Sequence, residues 1–441
     1  MKLNVSENRR FLQNEDGTPF FYFADTGWEL FHRLKLEEIE FYLDARKAQG
    51  FNVIQAVLIS EIDGLRTPNV YGQVPLNEMN PEKPNPEYFD FVEKVLRLAE
   101  TKEIYLALVP TWGDKIDRVF GIGPEIFNEN NAFTYGQWLG KRFSDIPNII
   151  WMNGGDRSGG GSNFAIWDAL GKGIKSEDSN HLMTFHPLGD ASSSMWFHDS
   201  EWLDFNICQS GHSMRNYPNY MMISYDYLRH PVKPCLDSEP RYEEHAVNWK
   251  PEQNGVFNDY DVSQAAYWAV FAGACGHTYG THPVWQMYDT GREAIGFVHY
   301  TWKEALKLPG ASQLVHLKNL MISRSYFDRF PDQSILNAPK VGEEHIRCTR
   351  GMDYLMCYLP SGGEVELNTC RIPWDNSQAL WFNPRTGETE LIGVFRKENC
   401  CIFTAPTSGI RNDWVLILDK EKKNEHLELG ETNRIENKKL K

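Results

Sequence analysis

The chain has 441 residues and a formal net charge of -15 at pH 7. This length allows one barrel-sized domain and a smaller companion. The acidic charge excludes a surface built to bind nucleic acid or an anionic membrane, because either would need clustered Lys and Arg.

Other features of the sequence bear on the cellular compartment in which the protein works. The first residues contain no apolar segment typical of an export signal, and no apolar run approaches the roughly 18 residues of a membrane span. The eight cysteines form no C-x-x-C pair and are expected to be reduced. These observations predict a cytoplasmic enzyme of uncharged ligands, with no nucleic-acid or membrane partner. Nothing in the sequence indicates its oligomeric state.

Predicted strands and helices alternate along the first three quarters of the chain. Strands are predicted at residues 19–24, 51–60, 104–110, 149–152, 182–185, 205–208, 234–239 and 278–279. Helices are predicted at residues 36–49, 86–102, 123–143, 164–177, 219–228, 262–275 and 303–323. Eight strands in this rhythm favour an α/β fold that closes as a (β/α)8 TIM barrel over an open doubly wound sheet.

The pattern changes after about Arg324. Short strand-like runs separated by Gly- and Pro-containing turns predict a small antiparallel β-sandwich, and the last residues are almost wholly charged or polar. We therefore expect a catalytic barrel at 1–325, a β-sandwich at 326–420 and a charged tail at 421–441.

Two predicted strands end on a carboxylate. Residues 148–156 form an apolar run that stops on Asn153, two glycines and Asp156, and the strand at 234–239 ends on Glu239. In (β/α)8 enzymes the chemistry lies at the C-terminal ends of the strands. Asp156 and Glu239 are therefore the candidate catalytic residues.

A pair of carboxyl groups is the minimum requirement for glycoside hydrolysis. One protonates the departing oxygen, and the other attacks the sugar or activates water. Alternatively, Asp156 and Glu239 could simply cap helices or pair with Arg157 and Arg241. The two glycines before Asp156 favour catalysis, because they indicate an unusual backbone or a close approach that a cap does not need.

Further polar and aromatic residues lie near the predicted strand ends. The candidate substrate-binding set is Asp25, Trp28, Glu61, Trp112, Asn153, His186, Gln209, His212 and Trp285. Trp side chains there can stack on sugar rings, although core packing is the alternative for each of them. Histidines can bind sugar hydroxyls.

A rival hypothesis is a metal-dependent, amidohydrolase-type hydrolase that uses His186, His212 and His282. The first strand disfavours it, because it ends in Ala24-Asp25-Thr26 where such barrels usually have an H-x-H pair. We therefore predict no metal and no cofactor. A carbohydrate-binding protein on an inactive barrel is the non-enzymatic alternative.

Several ordered stretches resemble the apiosidase-like glycoside hydrolases. They are ADTGWELFHRL (24–34), GFNVIQ (50–55), NGGD (153–156), QSGH (209–212) and HPVWQ (282–286). The resemblance covers most of residues 1–325, and the C-terminal region looks like the small β-domain, often labelled collagen-binding, that accompanies these barrels.

The resemblance implies a retaining glycosidase of the clan A type. Its acid/base would lie on the fourth strand and its nucleophile on the seventh, at the positions of Asp156 and Glu239. Many clan members have Asn-Glu on the fourth strand, whereas Gly-Gly-Asp here is similar to the apiosidase-like subgroup. The expected function is exo-hydrolysis of a terminal sugar, with apiose as the candidate, from a plant-derived oligosaccharide or small glycoside.

Overall fold

The computed structural model describes residues 2–421, so the charged tail predicted at 421–441 lies outside the described residues beyond its first position. The chain begins with a three-stranded antiparallel sheet in the order β1-β2-β3, formed by β1 (Leu3–Val5), β2 (Leu12–Asn14) and β3 (Pro19–Phe20). The strand predicted at 19–24 is therefore divided. Its first part completes this sheet, and its second part begins the central sheet.

The central strands follow the predicted order. They are β4 (Tyr22–Thr26), β5 (Val53–Val57), β6 (Tyr105–Val109), β7 (Ile149–Gly154), β8 (Met183–His186), β9 (Ala191–Ser192), β10 (Asn206–Gln209), β11 (Cys235–Asp237) and β12 (Gly276–Tyr279). Six of them form a parallel sheet in the order β12-β4-β5-β6-β7-β8, while β10 pairs in parallel with β11 and antiparallel with β9.

Single backbone hydrogen bonds cross the two junctions between these sheets. The amide of Asp204 donates to the carbonyl of Met183 (2.8 Å), and the amide of Cys275 donates to the carbonyl of Cys235 (2.9 Å). Within residues 2–421 no strand ladder spans either junction. The parallel sheet predicted from the sequence is thus confirmed, as a six-stranded sheet with a separate parallel pair beside it.

Most of the longer helices lie where the sequence predicts them. The helices are α1 (Leu30–Arg33), α2 (Leu36–Ala48), α3 (Pro86–Thr101), α4 (Glu129–Phe143), α5 (Asn163–Glu177), α6 (Ser194–Phe197), α7 (Asn219–Tyr227), α8 (Pro251–Asn254), α9 (Asp259–Phe271), α10 (His282–Trp285), α11 (Trp302–Ala305) and α12 (Pro309–Ile322). Between residues 2 and 421, none of the helices is long and apolar enough to cross a membrane.

Two helix predictions need correction. The helix predicted at 303–323 is two helices, because Pro309 has no amide hydrogen and its fixed φ suits the first position of a new helix. The helix predicted from residue 123 begins only at Glu129. There the side chain of Asn128 accepts a hydrogen bond from the amide of Asn131 and fixes the start.

The C-terminal region is an antiparallel β-domain, as predicted. Its strands are β13 (Phe330–Pro331), β14 (Arg347–Arg350), β15 (Tyr354–Leu359), β16 (Gly362–Leu367), β17 (Asn376–Phe382), β18 (Thr389–Arg396), β19 (Cys401–Ser408) and β20 (Trp414–Lys420). They form a six-stranded sheet in the order β13-β14-β15-β20-β17-β18 and a separate β16-β19 pair. The domain packs on α9, where the rings of Tyr267 and Tyr358 stack with centroids 4.7 Å apart.

Candidate active site

A cavity of about 800 Å³ lies at the C-terminal ends of the parallel strands. It is lined by residues at or after the ends of all eight parallel strands of the central sheets. Of the predicted site residues, the structure brings together Trp28, Glu61, Trp112, Asp156, Gln209, His212, Glu239 and Trp285. They come from all parts of the first 300 residues, so their shared location follows from the strand order.

The backbone that presents Asp156 has an unusual conformation. Gly154, Gly155 and Asp156 have φ values of 89°, 142° and 57°. A Cβ atom on Gly154 would lie 2.3 Å from the carbonyl oxygen of His186, and one on Gly155 would lie 2.9 Å from the amide nitrogen of Gly113. Both glycines are therefore required where the end of β7 passes between its neighbours, as their sequence pattern indicated.

Glu239 is held by two histidines. Its Oε2 atom lies 2.9 Å from Nε2 of His186, and its Oε1 atom lies 3.3 Å from Nε2 of His212. The backbone amide of Asp156 approaches Nδ1 of His186 at 3.4 Å. Because Nδ1 then acts as the acceptor, the proton of a neutral His186 lies on Nε2, the nitrogen 2.9 Å from Oε2 of Glu239. One imidazole thus contacts both candidate catalytic residues.

The carboxyl groups in the cavity differ in their electrostatics. Burial and then the charge of Glu239 raise the pKa of Asp156 to about 7. Burial also acts to raise the pKa of Glu239, but the neighbouring imidazoles of His186 and His212 outweigh it and hold that pKa well below its usual value. Burial and then the charge of Asp156 raise the pKa of Glu61 to about 8. Near neutral pH, Glu239 is ionised while Asp156 and Glu61 can retain protons.

The loop after β11 contributes polar groups that the sequence analysis missed. The rings of His212 and His245 stack at 4.1 Å, and Tyr242 lies 4.5 Å from His212. Nδ1 of His245 lies 2.8 Å from the carbonyl oxygen of Ala246, so it is the donor there. Within residues 2–421, Nε2 of His245, Nδ1 of His212 and the Tyr242 hydroxyl are buried without a hydrogen-bond partner. They can therefore bind substrate hydroxyls.

Tryptophans form much of the cavity wall. Trp28 packs against Trp112 with ring centroids 5.4 Å apart, and both, like Trp285, are almost fully buried. Trp249, on the loop after β11, is 54% exposed and was not predicted. The signal that could have identified this loop is its density of aromatic and histidine residues immediately after Glu239.

The structure removes Asp25 and Asn153 from the predicted substrate-binding set. Oδ2 of Asp25 accepts a hydrogen bond from the Tyr42 hydroxyl (2.5 Å) and pairs with Nε of Arg46 (2.6 Å), both on α2. The Asn153 amide donates to the carbonyl of Trp167 on α5 (2.8 Å). Successive strand residues face opposite sides, and these two face the helices.

His186 also differs from its predicted role. It does not line the cavity but is buried behind it, in contact with Glu239. The structure therefore places His186 against Glu239 and not against the space for a substrate.

The donors invoked by the metal hypothesis do not converge. His186 and His212 face Glu239, whereas Nε2 of His282 lies 2.9 Å from the carbonyl oxygen of Ile295 and its Nδ1 accepts from the Trp285 indole (3.1 Å). Over the described range 2–421, no group of three or more His, Cys, Asp or Glu side chains is arranged to hold a metal ion. This donor geometry does not match the hypothesis.

Comparisons with known proteins identify the family of each domain. Residues 6–328 match the family described as "Apiosidase-like, catalytic domain", and residues 330–419 match the "Putative collagen-binding domain of a collagenase". A glycoside hydrolase family 5 crystal structure from Bacteroides vulgatus is 35% identical, with a TM-score of 0.89 over 95% of this chain and 93% of that one. Another structure, titled "Glycoside hydrolase", is also 35% identical, with a TM-score of 0.89 over 96% and 98% of the two chains. No curated protein matches the chain.

Proposed function

The chain belongs to the apiosidase-like glycoside hydrolases, and we propose that it is a retaining exo-glycosidase with Asp156 as acid/base and Glu239 as nucleophile. The observation that carries this proposal is the opposite direction of their pKa shifts within one cavity. A general acid must hold its proton near neutral pH, and a nucleophile must be ionised. The two environments meet these requirements with Asp156 as the acid and Glu239 as the nucleophile.

The proposed reaction has two steps. Asp156 gives its proton to the glycosidic oxygen as the bond to the leaving group breaks, and a Glu239 oxygen bonds to the anomeric carbon. Water then attacks that carbon, gives a proton to Asp156 and releases Glu239 as a carboxylate. Esterification removes the charge of Glu239, so its effect on the pKa of Asp156 disappears and Asp156 can ionise to act as the base.

The ring of loops supports exo action. Residues at or after every one of the eight parallel strands contribute to the wall, from Trp28 after β4 to Trp285 after β12. A polysaccharide chain that is cleaved internally needs a groove open at two sides. We propose that this wall encloses a terminal sugar.

The domain assignment is part of the same proposal. We assign residues 1–325 to a (β/α)8 barrel, with the pair β10-β11 completing the ring between β8 and β12, and residues 326–420 to a β-sandwich. The single hydrogen bonds at both junctions support the ring.

The polar groups around Glu239 support a sugar on that side of the cavity. His212, Tyr242 and His245 present unpaired groups there, and the family name makes apiose the first candidate. The substrate would be a plant-derived oligosaccharide or a small glycoside.

A panel of aryl pentosides and hexosides that includes an aryl apioside tests this function. We expect hydrolysis of at least one member, loss of turnover in Glu239→Gln, and normal turnover in Glu244→Gln. Glu244 is a matched control because it lies on the same loop but contacts His299 and does not line the cavity. Failure to hydrolyse every member, or an active Glu239→Gln variant, would contradict the proposal.

A further inference from the structure

The loop between β6 and α4 exposes apolar side chains at the mouth of the cavity. Val119, Phe120 and Ile122 are 72%, 48% and 43% exposed. Phe120 and Ile122 line the cavity, together with Ile62 from the loop after β5. Contiguous exposed apolar side chains at a cavity mouth are typical of a binding surface.

This loop is fixed in place. The carboxylate of Asp114 accepts hydrogen bonds from the amides of Ile122 (3.1 Å) and Gly123 (2.8 Å), and Nζ of Lys115 lies 2.7 Å from the same oxygen. The pair Asp114–Lys115 is fully buried. The apolar side chains are therefore presented by an anchored loop.

Arg157 ties the loop to the proposed acid. Its Nε donates to the carbonyl of Asp117 (2.6 Å), its Nη1 donates to the carbonyl of Asp156 (2.7 Å), and its Nη2 donates to the carbonyl of Phe120. The guanidinium also lies over the Phe120 ring, 3.7 Å from its centroid. One face of the ring is thus covered by Arg157, and the same guanidinium binds the backbone carbonyl of Asp156.

The position beside the acid identifies which part of a substrate would meet Phe120. A general acid protonates the leaving group, so the leaving group lies on the Asp156 side and the attacked sugar lies on the Glu239 side. The two sides differ in chemistry. His212, Tyr242 and His245 offer polar groups near Glu239. On the Asp156 side Glu61 is the polar neighbour, and Phe120, Ile122 and Ile62 add side chains without donors or acceptors.

We infer that Phe120, Ile122 and Ile62 form a leaving-group subsite that selects glycosides with an apolar aromatic aglycone. A flat ring can stack on Phe120 while the isoleucines exclude water from its edges. A hydroxyl-rich leaving group would lose hydration at these side chains without gaining hydrogen bonds from them. The inference rests on the proposed function for the direction of the substrate, and Phe120 is its specificity-determining residue.

Kinetics provide the first test. For the sugar selected by the panel, kcat/KM is measured on its 2-naphthyl glycoside and on a disaccharide in which the same sugar is linked to glucose. Comparing variant with wild type on each substrate cancels the intrinsic difference between leaving groups. We expect Phe120→Ala to lower kcat/KM about tenfold on the naphthyl glycoside and less than about twofold on the disaccharide. Equal losses on both substrates would overturn the inference.

Binding of the aglycone alone provides a second test that does not depend on turnover. Equilibrium dialysis with 2-naphthol should show saturable binding to the wild type and about tenfold weaker binding to Phe120→Ala. Phe41→Ala is the matched control, because Phe41 is similarly exposed (52%) but lies on α2 outside the cavity.

The two tests separate the inference from the proposed function. An inactive panel would contradict the proposed function, while naphthol binding that depends on Phe120 would still support an aromatic subsite. The absence of saturable binding, or equal binding to the wild type and Phe120→Ala, would overturn the subsite even if the enzyme hydrolyses glycosides.

Discussion

Oε2 of Glu239 lies 2.9 Å from Nε2 of His186, a buried histidine whose other ring nitrogen faces the backbone amide of Asp156. The imidazole therefore contacts the backbone of Asp156 through one nitrogen and the charged carboxylate of Glu239 through the other. Hydrogen bonds to a carboxylate stabilise its ionised form and offset the cost of burial. His186 and His212 together hold the pKa of Glu239 low, whereas burial and then the charge of Glu239 raise the pKa of Asp156.

Replacing His186 should move the acidic side of the pH profile. Glu239 must be ionised to attack, so kcat/KM falls as the pH drops through its pKa, which His186 keeps low. In His186→Phe we expect this limb to shift to higher pH, by at least about one pH unit. His181→Phe is the control, because His181 forms a similar pair (2.6 Å) but its partner, Asp178, lies outside the cavity. An unchanged limb in His186→Phe would remove His186 from the mechanism.

The alkaline side of the pH profile of kcat/KM should report the ionisation of Asp156. Its pKa is raised to about 7 by burial and then by the charge of Glu239, so kcat/KM should fall as the pH rises through that value and the acid loses its proton. On aryl glycosides with excellent leaving groups this limb should be shallow, because they need little protonation. The measurement is kcat/KM against pH on one such substrate and on one with a poor leaving group. A steep limb that is identical on both would assign it to another group.

The positions of the two candidate catalytic residues in the cavity were predictable because both come from a simple pattern. β7 and β11 are short buried strands, each paired in parallel with its neighbour, and each is followed within two residues by a carboxylate. Asp25 has a similar setting at the end of β4, yet it faces Arg46. Successive residues of a strand face opposite sides, so an error of one residue in the predicted strand reverses the predicted side. The sequence alone does not give the strand ends to that precision.

The loop residues could not be predicted for a different reason. Phe120 and Trp249 lie on long connections, and their positions depend on tertiary contacts such as the one between Arg157 and the Phe120 carbonyl. No periodic pattern of hydrophobic residues encodes such a path. The unusual backbone at Gly154 and Gly155 could be predicted, because glycine itself indicates a backbone conformation that other residues rarely adopt.

Gly155→Ala should impair catalysis by displacing Asp156. A Cβ atom at this position would meet the Gly113 amide at 2.9 Å, and the φ of 142° is unfavourable for alanine. We expect kcat/KM to fall at least about tenfold, because even small misplacement of a catalytic group is costly. Gly161→Ala is the control, since its φ is also positive (62°) but open space surrounds it. Equal activity in the two variants would contradict this account.

Asp156→Asn should stabilise the fold while reducing activity. The raised pKa means that the folded state binds the Asp156 proton more tightly than the unfolded state does. The free energy of unfolding of the wild type, relative to that of the Asp156→Asn variant, therefore falls as the pH rises from about 4 to about 7. We expect the variant to be more stable by about 1 to 2 kcal/mol at about pH 8, and equally stable at about pH 3. Urea unfolding at both pH values measures this, and a less stable variant at the higher pH would contradict it.

The C-terminal domain should contribute stability more than chemistry. Tyr358 stacks on Tyr267 of α9 and is fully buried, far along the chain from any residue that lines the cavity. We expect Tyr358→Ala to lower the free energy of unfolding by about 3 kcal/mol while kcat/KM changes less than about twofold. Tyr225→Ala, at a site that is 56% exposed, is the control and should leave stability nearly unchanged. A large fall in kcat/KM at unchanged stability would give this domain a catalytic role.

The stereochemistry of the reaction provides the most direct test of the two assigned roles. If the enzyme is retaining, the carboxyl groups of Asp156 and Glu239 should lie about 5 to 5.5 Å apart, whereas an inverting enzyme would need roughly 6.5 to 9.5 Å for an intervening water. The first product seen by NMR should then have the same anomeric configuration as the substrate. An inverted first product would refute the retaining assignment.

Variants of the two residues should respond differently to the leaving group and to azide. Glu239→Ala removes the nucleophile and should lose nearly all turnover, on every glycoside. Asp156→Ala removes only the proton donor, so the rate of the first step should change little on aryl glycosides with good leaving groups. Glycosides with poor leaving groups should lose most of their rate of hydrolysis. Azide can replace the missing nucleophile in Glu239→Ala, which gives a glycosyl azide of inverted configuration. In Asp156→Ala it attacks the covalent intermediate, which gives the retained product. Full activity of Asp156→Ala on unactivated glycosides would show that another group supplies the proton.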